Sequence, residues 1–175
     1  MPMHSSLRLL VVALGLLCVG GAQANKPTKV QLGFLFNFVR YVEWPESVLK
    51  PGAPLHVCLV PGNADLTAQF TELVGQPVAG LSIVGKVLAR PADAVNCHAV
   101  YVPAEAPGPL SAWVDAAYKT GALTVGDAPD FVDAGGMIGL VPVGGRYRFD
   151  INLGKALAVN LRISSQLLKL AKTVK

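Results

Sequence analysis

Short apolar segments separated by helical segments are the feature that most constrains how this 175-residue chain can fold. Apolar segments of strand length occur at 55–60, 81–88, 99–102 and 123–125. Segments with the apolar spacing of helices occur at 30–44, 64–74 and 110–118. Because strands that alternate with helices run parallel to one another, the pattern predicts one α/β domain. Its sheet is expected to be largely parallel or mixed, with helices flanking it.

The last third of the chain is predicted to form a β-hairpin followed by a long helix. Strands are predicted over 137–143 and 146–153, joined by two glycines that tolerate the positive φ of a type I′ turn. A short helix and a glycine turn are expected before them, in the segment 127–136. A single long helix is predicted over 155–174.

The first residues have the organisation of a secretory signal peptide. Arg8 precedes the apolar run 9–21, and Ala22-Gln23-Ala24 then offers small side chains at the −3 and −1 positions of a cleavage site. A retained membrane anchor is the alternative, but the run has about 13 residues where about 20 are needed to span a bilayer. Residues 1–24 are therefore predicted to be cleaved, which leaves 25–175 as one exported domain.

Composition and motifs argue against nucleic-acid binding and against catalysis. The formal net charge is +4 and is not clustered, whereas nucleic-acid-binding domains concentrate Lys and Arg on one face. The sequence has no glycine-rich nucleotide loop, no G-x-S-x-G elbow and no H-E-x-x-H motif. Asp127 and Glu105 are a candidate carboxylate pair, but acids at strand ends are more often helix caps. No catalytic residue and no cofactor are predicted.

Two cysteines remain after the predicted cleavage, Cys58 in LHVCLV and Cys97 in NCHAVYV. An even pair in a small exported domain favours a disulfide. Free thiols are one alternative, and a metal site with the neighbouring His56 and His98 is another. The metal site is disfavoured because Cys97 and His98 would point to opposite faces of a strand.

The segment NFVRYVEWP, residues 37–45, sets polar and aromatic side chains among large apolar ones. A helical wheel places Phe34, Leu35, Phe38, Val39 and Val42 on one side, opposite Gly33, Asn37, Arg40, Tyr41 and Trp44. Tyr, Trp and Arg contribute most of the energy at many protein interfaces. Asn37, Arg40, Tyr41 and Trp44 are therefore candidate partner-binding residues. The alternative is that Arg40 is solvated and Trp44 packs under a neighbouring loop.

Three polar residues in the last third are also candidates. Arg148 lies on the polar side of the predicted hairpin, because side chains alternate along a strand, and it joins the candidate partner-binding residues. Asn160 and Ser164 fall within the apolar arc of the predicted last helix. They are therefore candidate buried polar groups, which need hydrogen-bond partners in a strand end or a loop. The alternative is that they contact a ligand or another protein.

Seven segments, taken in order, resemble those of the YfiR-type periplasmic proteins of Gram-negative bacteria, once described as a domain of unknown function. They are LFNFVRYVEWP, LHVCLV, NCHAVYV, LTVGDAPDF, GGMIGLV, RYRFDINL and ISSQLLKLA. The resemblance covers residues 29–173, nearly the whole predicted domain. Two positions depart from it, since Gly139 stands where the family commonly has asparagine and Asp150 where it commonly has glutamate.

The resemblance implies a non-enzymatic repressor located in the periplasm. Such a protein binds the sensory region of an inner-membrane diguanylate cyclase and keeps its output low, so that release raises cyclic-di-GMP and favours biofilm. An outer-membrane lipoprotein can remove the repressor from the cyclase. The resemblance also implies that Cys58 and Cys97 pair as a structural disulfide, and a homodimer is left open. The alternative function is an exported protein that binds a small molecule in an α/β cleft.

Overall fold

The computed structural model describes residues 27–75, 80 and 82–175, so the predicted signal peptide, residues 1–24, lies outside the described residues. The helices are α1 (Pro27–Phe38), α2 (Ala64–Leu73), α3 (Leu110–Lys119), α4 (Leu153–Ala158) and α5 (Ser165–Leu170). The strands are β1 (Val42–Glu43), β2 (Leu55–Leu59), β3 (Ile83–Val87), β4 (Ala99–Val102), β5 (Leu123–Gly126), β6 (Ile138–Val143), β7 (Arg146–Ile151), β8 (Arg162–Ile163) and β9 (Thr173–Val174).

A central sheet in the described chain has the strand order β3-β2-β4-β5-β6-β7-β9. The pairs from β3 through β6 are parallel, β7 is antiparallel to β6, and β9 is parallel to β7. Strands β1 and β8 form a separate antiparallel pair. The predicted α/β class with a mixed sheet flanked by helices is confirmed. No helix in the described ranges is long and apolar enough to cross a bilayer.

The sheet has an apolar layer on each face. Val57 and Tyr101 pack with α1 and α2 on one face, whereas Cys58 and Val100 pack with α3 on the other. Neighbouring residues of a strand point to opposite faces. The central strands are therefore buried on both sides, which explains why they read as continuous apolar runs instead of alternating ones.

The first helix is shorter than predicted. It ends at Phe38, and a 3-10 turn at Val39–Tyr41 and then β1 follow, whereas the helix was expected to continue through residue 44. Val42 pairs with Ile163 of β8. β-branched and aromatic residues have only a weak preference for helix, so the pairing with β8 decides the conformation of this part of the chain.

The segment 127–136 forms successive turns and not the predicted short helix. Asp130 and Gly135 have φ values of 55° and 99°, which interrupt a right-handed helix. The ring of Phe131 is buried between two close glycines of the backbone. A Cβ atom on Gly126 or Gly136 would lie 2.3 or 2.1 Å from this ring, so both positions need glycine.

The segments predicted to form a hairpin do so, because β6 and β7 pair antiparallel from Ile138 with Ile151 to Val143 with Arg146. Gly144 and Gly145 in the turn have φ values of 55° and 76°. Positive φ at both central residues is what a type I′ turn requires.

The prediction of one long helix over 155–174 is wrong, since α4, β8, α5 and β9 occupy this part of the chain. Asn160 has a φ of 61°, a left-handed conformation that no helix continues through. Ser164 then caps α5, its hydroxyl accepting the Gln166 N–H at 3.2 Å. Pairing of β8 with β1 and of β9 with β7 overrides the helical preference of the Leu, Ala and Lys side chains.

Cys58 and Cys97 are joined in a disulfide that closes a loop with a sequence separation of 39. Both cysteines are buried on the α3 face of the sheet. Closing a loop of this length stabilises the fold by about 4 kcal/mol in the chain-entropy account. The bond links β2 to the residues immediately before β4, next to His98.

Candidate functional site

The segment 27–50 lies over one face of the sheet and carries most of the predicted partner-binding residues. Leu35 and Phe38 of α1 are buried in the core, whereas Asn37 and Arg40 are exposed. The predicted separation into a core side and an exposed side is therefore present. It extends past the end of α1 into the 3-10 turn.

Trp44 anchors the end of this segment. Its indole is half-buried against the core, and its Nε1 donates to the carbonyl oxygen of His98 at 2.9 Å. Tyr41 is half-buried against the same core. Both aromatic side chains therefore support the fold and expose only part of their surface.

Arg40 makes few contacts within the described structure. Its guanidinium donates one long hydrogen bond, 3.5 Å from Nη1 to Oδ1 of Asn37. None of the ion pairs between described residues involves Arg40. The guanidinium therefore has most of its donors directed to solvent, where a carboxylate of another molecule could accept them.

An open groove of about 490 Å³ adjoins Trp44, between β1 on one side and α4 with β8 on the other. Its lining residues are Glu43, Trp44, Pro45, Glu46, Leu157, Asn160, Leu161 and Arg162. The Leu157 side chain is 55% exposed. The groove thus combines an exposed apolar side chain with an indole and with charges of both signs.

The candidate buried polar residues prove to have other roles. Asn160 is exposed and belongs to the lining of the groove, which corrects the prediction that its amide is buried. Ser164 is half-buried, and its N–H donates to the Tyr41 carbonyl at 2.8 Å. The two residues were expected on one face of one helix, but β8 separates them.

Arg148 lies away from the other predicted partner-binding residues. Its neighbour Phe149 contacts Phe34 and Phe38 of α1, with ring centroids 6.2 and 4.9 Å apart. Because adjacent strand residues point to opposite faces, the exposed Arg148 side chain points to the face of the sheet away from α1. The structure does not bring it together with Arg40.

His98 lies at the amino end of the parallel strands, next to residues 45–50. Nδ1 of His98 accepts the N–H of His56 at 2.8 Å, and Nε2 lies 3.1 Å from the Val48 carbonyl oxygen. The two imidazole rings meet edge to face, with centroids 5.4 Å apart. Burial is the main cause that lowers the pKa of His98; the hydrogen bond to Val48 opposes this shift, and the nearby His56 adds to it.

A carboxylate occupies the opposite, carboxyl end of the strands. Asp127 accepts hydrogen bonds from the Gln31 amide and from the N–H of Ala104, the latter at 2.8 Å. Gln31 also donates to the Tyr147 hydroxyl at 3.2 Å. Burial raises the pKa of Asp127, and the Ala104 hydrogen bond opposes that rise. Asp127 therefore connects α1 to the loop after β4, and it is not a helix cap.

Tyr101 is completely buried beneath this carboxylate. Its hydroxyl has no hydrogen-bond partner in the described structure, and burial together with the charge of Asp127 raises the pKa of the phenol. No group of three or more His, Cys, Asp or Glu side chains in the described ranges could hold a metal ion. Polar contacts therefore hold the segment 27–50 at both ends of the strands, from His98 to Val48 at one end and from Gln31 to Asp127 at the other.

A model of the YfiR/HmsC-like family matches residues 28–172. The chain belongs to the YfiR/HmsC-like family. Members of this family are periplasmic regulators and not enzymes, and the match is consistent with control of cyclic-di-GMP cyclases. No curated protein matches the chain.

Two solved structures share the fold of this YfiR/HmsC-like chain. A conserved domain protein from Vibrio cholerae is 14% identical over 85% of the chain, with a TM-score of 0.56. The ABC domain in complex with L-Trp from Streptococcus pneumonia is 16% identical over 74% of the chain, with a TM-score of 0.51. The chain spans 60% and 58% of these two proteins. At such low identity the likeness concerns the fold alone.

The two departures from the YfiR-type pattern are direct neighbours in the sheet. Gly139 of β6 pairs with Asp150 of β7. A Cβ atom at residue 139 would lie 3.3 Å from Cβ of Phe131, so the buried glycine allows this close packing. The Asp150 carboxylate lies 3.9 Å from Nζ of Lys172.

The groove beside Trp44 was missed by the sequence reasoning. Its far side is formed by α4 and β8, a region that the sequence predicted as part of one helix. Asn160 was the available signal, because asparagine tolerates the left-handed conformation that ends a helix.

Proposed function

We propose that this protein is a periplasmic repressor that binds the sensory region of an inner-membrane diguanylate cyclase. Binding lowers cyclic-di-GMP output and biofilm formation, and an outer-membrane lipoprotein removes the repressor. Membership of the YfiR/HmsC-like family over residues 28–172 is the observation that carries this proposal. The buried disulfide and the signal-like residues 1–24 support export to an oxidising compartment.

The proposed contact is the surface formed by Asn37, Arg40, Tyr41 and Trp44, called the arginine surface below. The exposed guanidinium of Arg40 supports this choice, because it makes no ion pair with a described residue. A planar guanidinium binds a carboxylate through two parallel hydrogen bonds, which gives both orientation and affinity. Tyr41 and Trp44 hold the backbone beside it in place through their packing on the core.

The groove beside Trp44 extends this surface. Leu157 provides an exposed apolar contact there, and Glu43, Glu46 and Arg162 surround it with charge. Interfaces commonly place a few apolar or aromatic contacts at the centre and charged groups at the rim. A partner that pairs with Arg40 would therefore find an adjacent recess for an apolar side chain.

The same groove supports the second candidate function, an exported protein that binds a small molecule. Its volume of about 490 Å³ lies in the range of small-ligand sites. The groove is open to solvent, however, whereas such sites enclose most of the ligand surface. Small-molecule binding would require a residue in the groove, such as Leu157, while leaving Arg40 unimportant.

A comparison of two charge-removing variants tests the proposed contact. Arg40→Ala should weaken binding to the cyclase by about 1 to 3 kcal/mol, as expected for a paired guanidinium. Recovery of the cyclase from a membrane extract should fall accordingly. Arg146→Ala is the matched control, since Arg146 is also exposed but lies at the tip of the β6–β7 hairpin. Mass spectrometry of the captured proteins identifies the partner.

Three outcomes distinguish the candidates. Capture of a membrane cyclase by the native protein and by Arg146→Ala, but not by Arg40→Ala, supports the repressor. Equal capture by all three proteins places the contact elsewhere. Capture of no cyclase, together with a ligand whose binding Leu157→Ser abolishes, favours the small-molecule alternative.

A further inference from the structure

The hydrogen bonds of His98 fix the protonation state of its ring. Nδ1 lies 2.8 Å from the backbone nitrogen of His56, which can only donate a hydrogen bond. Nε2 lies 3.1 Å from the carbonyl oxygen of Val48, which can only accept one. Both contacts form together only if Nδ1 carries no proton and Nε2 carries one. Rotating the ring by half a turn would put carbon atoms at both positions, so the geometry selects the neutral Nε2–H tautomer.

A second proton on this ring has no acceptor. It would bind Nδ1, which then faces the N–H of His56 as one donor against another at the same 2.8 Å. The positive charge would also lie near the His56 ring, whose centroid is 5.4 Å away. Protonation of His98 therefore requires the ring to leave its position between His56 and Val48.

Movement of the ring would remove the side-chain hydrogen bond to Val48, whereas Leu49 of the same segment would keep its packing against the core. Within the described structure, two side-chain hydrogen bonds join the amino end of the strands to residues 44–50. They run from Nε2 of His98 to the Val48 carbonyl and from Nε1 of Trp44 to the His98 carbonyl. Only the contact to Val48 depends on the position of the ring, because the His98 carbonyl also accepts the N–H of Leu123 at 2.9 Å and so belongs to the sheet. The Trp44 indole N–H donates to the backbone of His98, so its resonance is a nearby probe of the charge and position of the ring.

Among the described residues that line the recess around His98, His56 is the other titratable side chain. A recess of about 520 Å³ surrounds the ring, and its described lining comes from the segment 45–50, β2, the turn before β4 and the end of α3. The lining residues are Ser47, Val48, His56, Val95, Asn96, Cys97, His98 and Thr120. Cys97 is in the disulfide, and the described residues of the lining include no carboxylate that would stabilise a charged imidazole.

We propose that His98 is an acid-sensitive contact that holds Val48 at the amino end of the strands when neutral and releases it when protonated. The device lies within the chain and does not depend on the identity of a partner. Its consequence is an equilibrium in which the Val48 carbonyl is bonded to the ring at neutral pH and is free of it in acid. Histidine is the side chain whose charge changes under mild acidification.

Nuclear magnetic resonance of the full-length protein tests the proposal directly. Long-range correlations of the imidazole nitrogens should show an unprotonated Nδ1 on His98 at about pH 8. As the pH falls, the His98 nitrogens, the His56 amide and the Trp44 indole N–H should shift together. Their common midpoint should lie below the ordinary histidine value of about 6.5, and the His56 amide should exchange faster with solvent once it has lost its acceptor.

Two variants serve as controls. His98→Asn places an amide oxygen near the position of Nδ1 but cannot titrate, so the Trp44 shift in acid should disappear. His56→Gln keeps the His98 ring and the backbone N–H of residue 56, so the shift should remain. The titration of the native protein decides the matter even if His98→Asn does not fold.

Two results would overturn the proposal. One is a His98 ring that titrates at the ordinary histidine value while the His56 amide and the Trp44 indole stay unchanged. The other is a Trp44 transition of the same size and midpoint in folded His98→Asn protein, which would place the acid-sensitive group elsewhere.

Discussion

The segment 27–50 is held to the sheet by different chemistry at its two ends. At the carboxyl end of the strands, the Gln31 amide donates to the ionisable Asp127 carboxylate. At the amino end, Trp44 donates to a backbone carbonyl, and the His98 ring bonds residues on both sides of it. The first end contains a half-buried acid, whereas the second requires a neutral base.

This difference determines how the support of the arginine surface responds to pH. Burial raises the pKa of Asp127 and lowers the pKa of His98, so in both cases the fold favours the neutral side chain. An acid and a base that both favour neutrality respond to pH in opposite directions. On acidification, the contribution of the carboxyl end to the free energy of unfolding should increase, whereas that of the amino end should decrease.

Removal of the disulfide should have the largest effect on the amino end. Replacing Cys58 and Cys97 by alanine should lower the free energy of unfolding by about 4 kcal/mol, because the unfolded chain regains the entropy of an open loop. Urea denaturation of the oxidised native protein and of the double variant measures the change. A loss well below 1 kcal/mol would show that this end is held by packing alone.

Trp44 separates packing from hydrogen bonding at the same end. Trp44→Ala should lower the free energy of unfolding by about 3 kcal/mol, near the lower limit for truncation of a large core side chain, because the indole is only half-buried. Trp44→Phe keeps most of the packing and loses the bond to His98, and should cost about 1 kcal/mol. Equal losses in urea denaturation would mean that packing contributes little.

Opposite pH dependence at the two ends is the sharpest test of the comparison. The folded-state pKa of His98 is lowered, so its contribution to stability is lost as the pH falls below about 6.5. The folded-state pKa of Asp127 is raised, so its contribution increases as the pH falls through that folded value.

Variants at each end should therefore change the pH profile in opposite ways. Unfolding free energies measured in urea at several pH values should fall less steeply with acid in His98→Asn and more steeply in Asp127→Asn. The comparison uses the slopes of the profiles, since each substitution also changes hydrogen bonds at every pH. Parallel profiles for both variants would refute the opposite behaviour of the two ends.

The smallest effect on stability is expected at the exposed arginine itself. Arg40→Ala should change the free energy of unfolding by less than about 0.5 kcal/mol, because the side chain is exposed and makes only one long hydrogen bond within the described chain. Thermal or urea denaturation measures this. A loss above 1 kcal/mol would indicate that Arg40 serves the fold.

The sequence predicted the parts of the fold whose signals are local. The strand at Ala99–Val102 and the turn at Gly144 and Gly145 depend on apolar runs and on residues that accept positive φ. The exposed side of α1 was predicted for the same reason, because a wheel needs only the spacing of residues. The cysteine pair followed from the predicted compartment.

The remaining errors arose where distant parts of the chain decide the conformation. β1 and β8 are two residues each, and neither is a strand without the other. Their pairing ended both predicted helices early and created the groove beside Trp44. The contacts of His98 and Asp127 could not be predicted from the sequence either, since each joins residues far apart in the chain.

The central claim is that the arginine surface contacts the cyclase, and one measurement in cells tests it most directly. Cyclic-di-GMP is measured in cells that produce either the native protein or an Arg40→Ala, Tyr41→Ala double variant, with folding and abundance checked by proteolysis and immunoblotting. The account predicts raised cyclic-di-GMP and thicker biofilm for a folded, equally abundant double variant. Native repression by that same variant would contradict the account and show that residues 37–45 serve only the core.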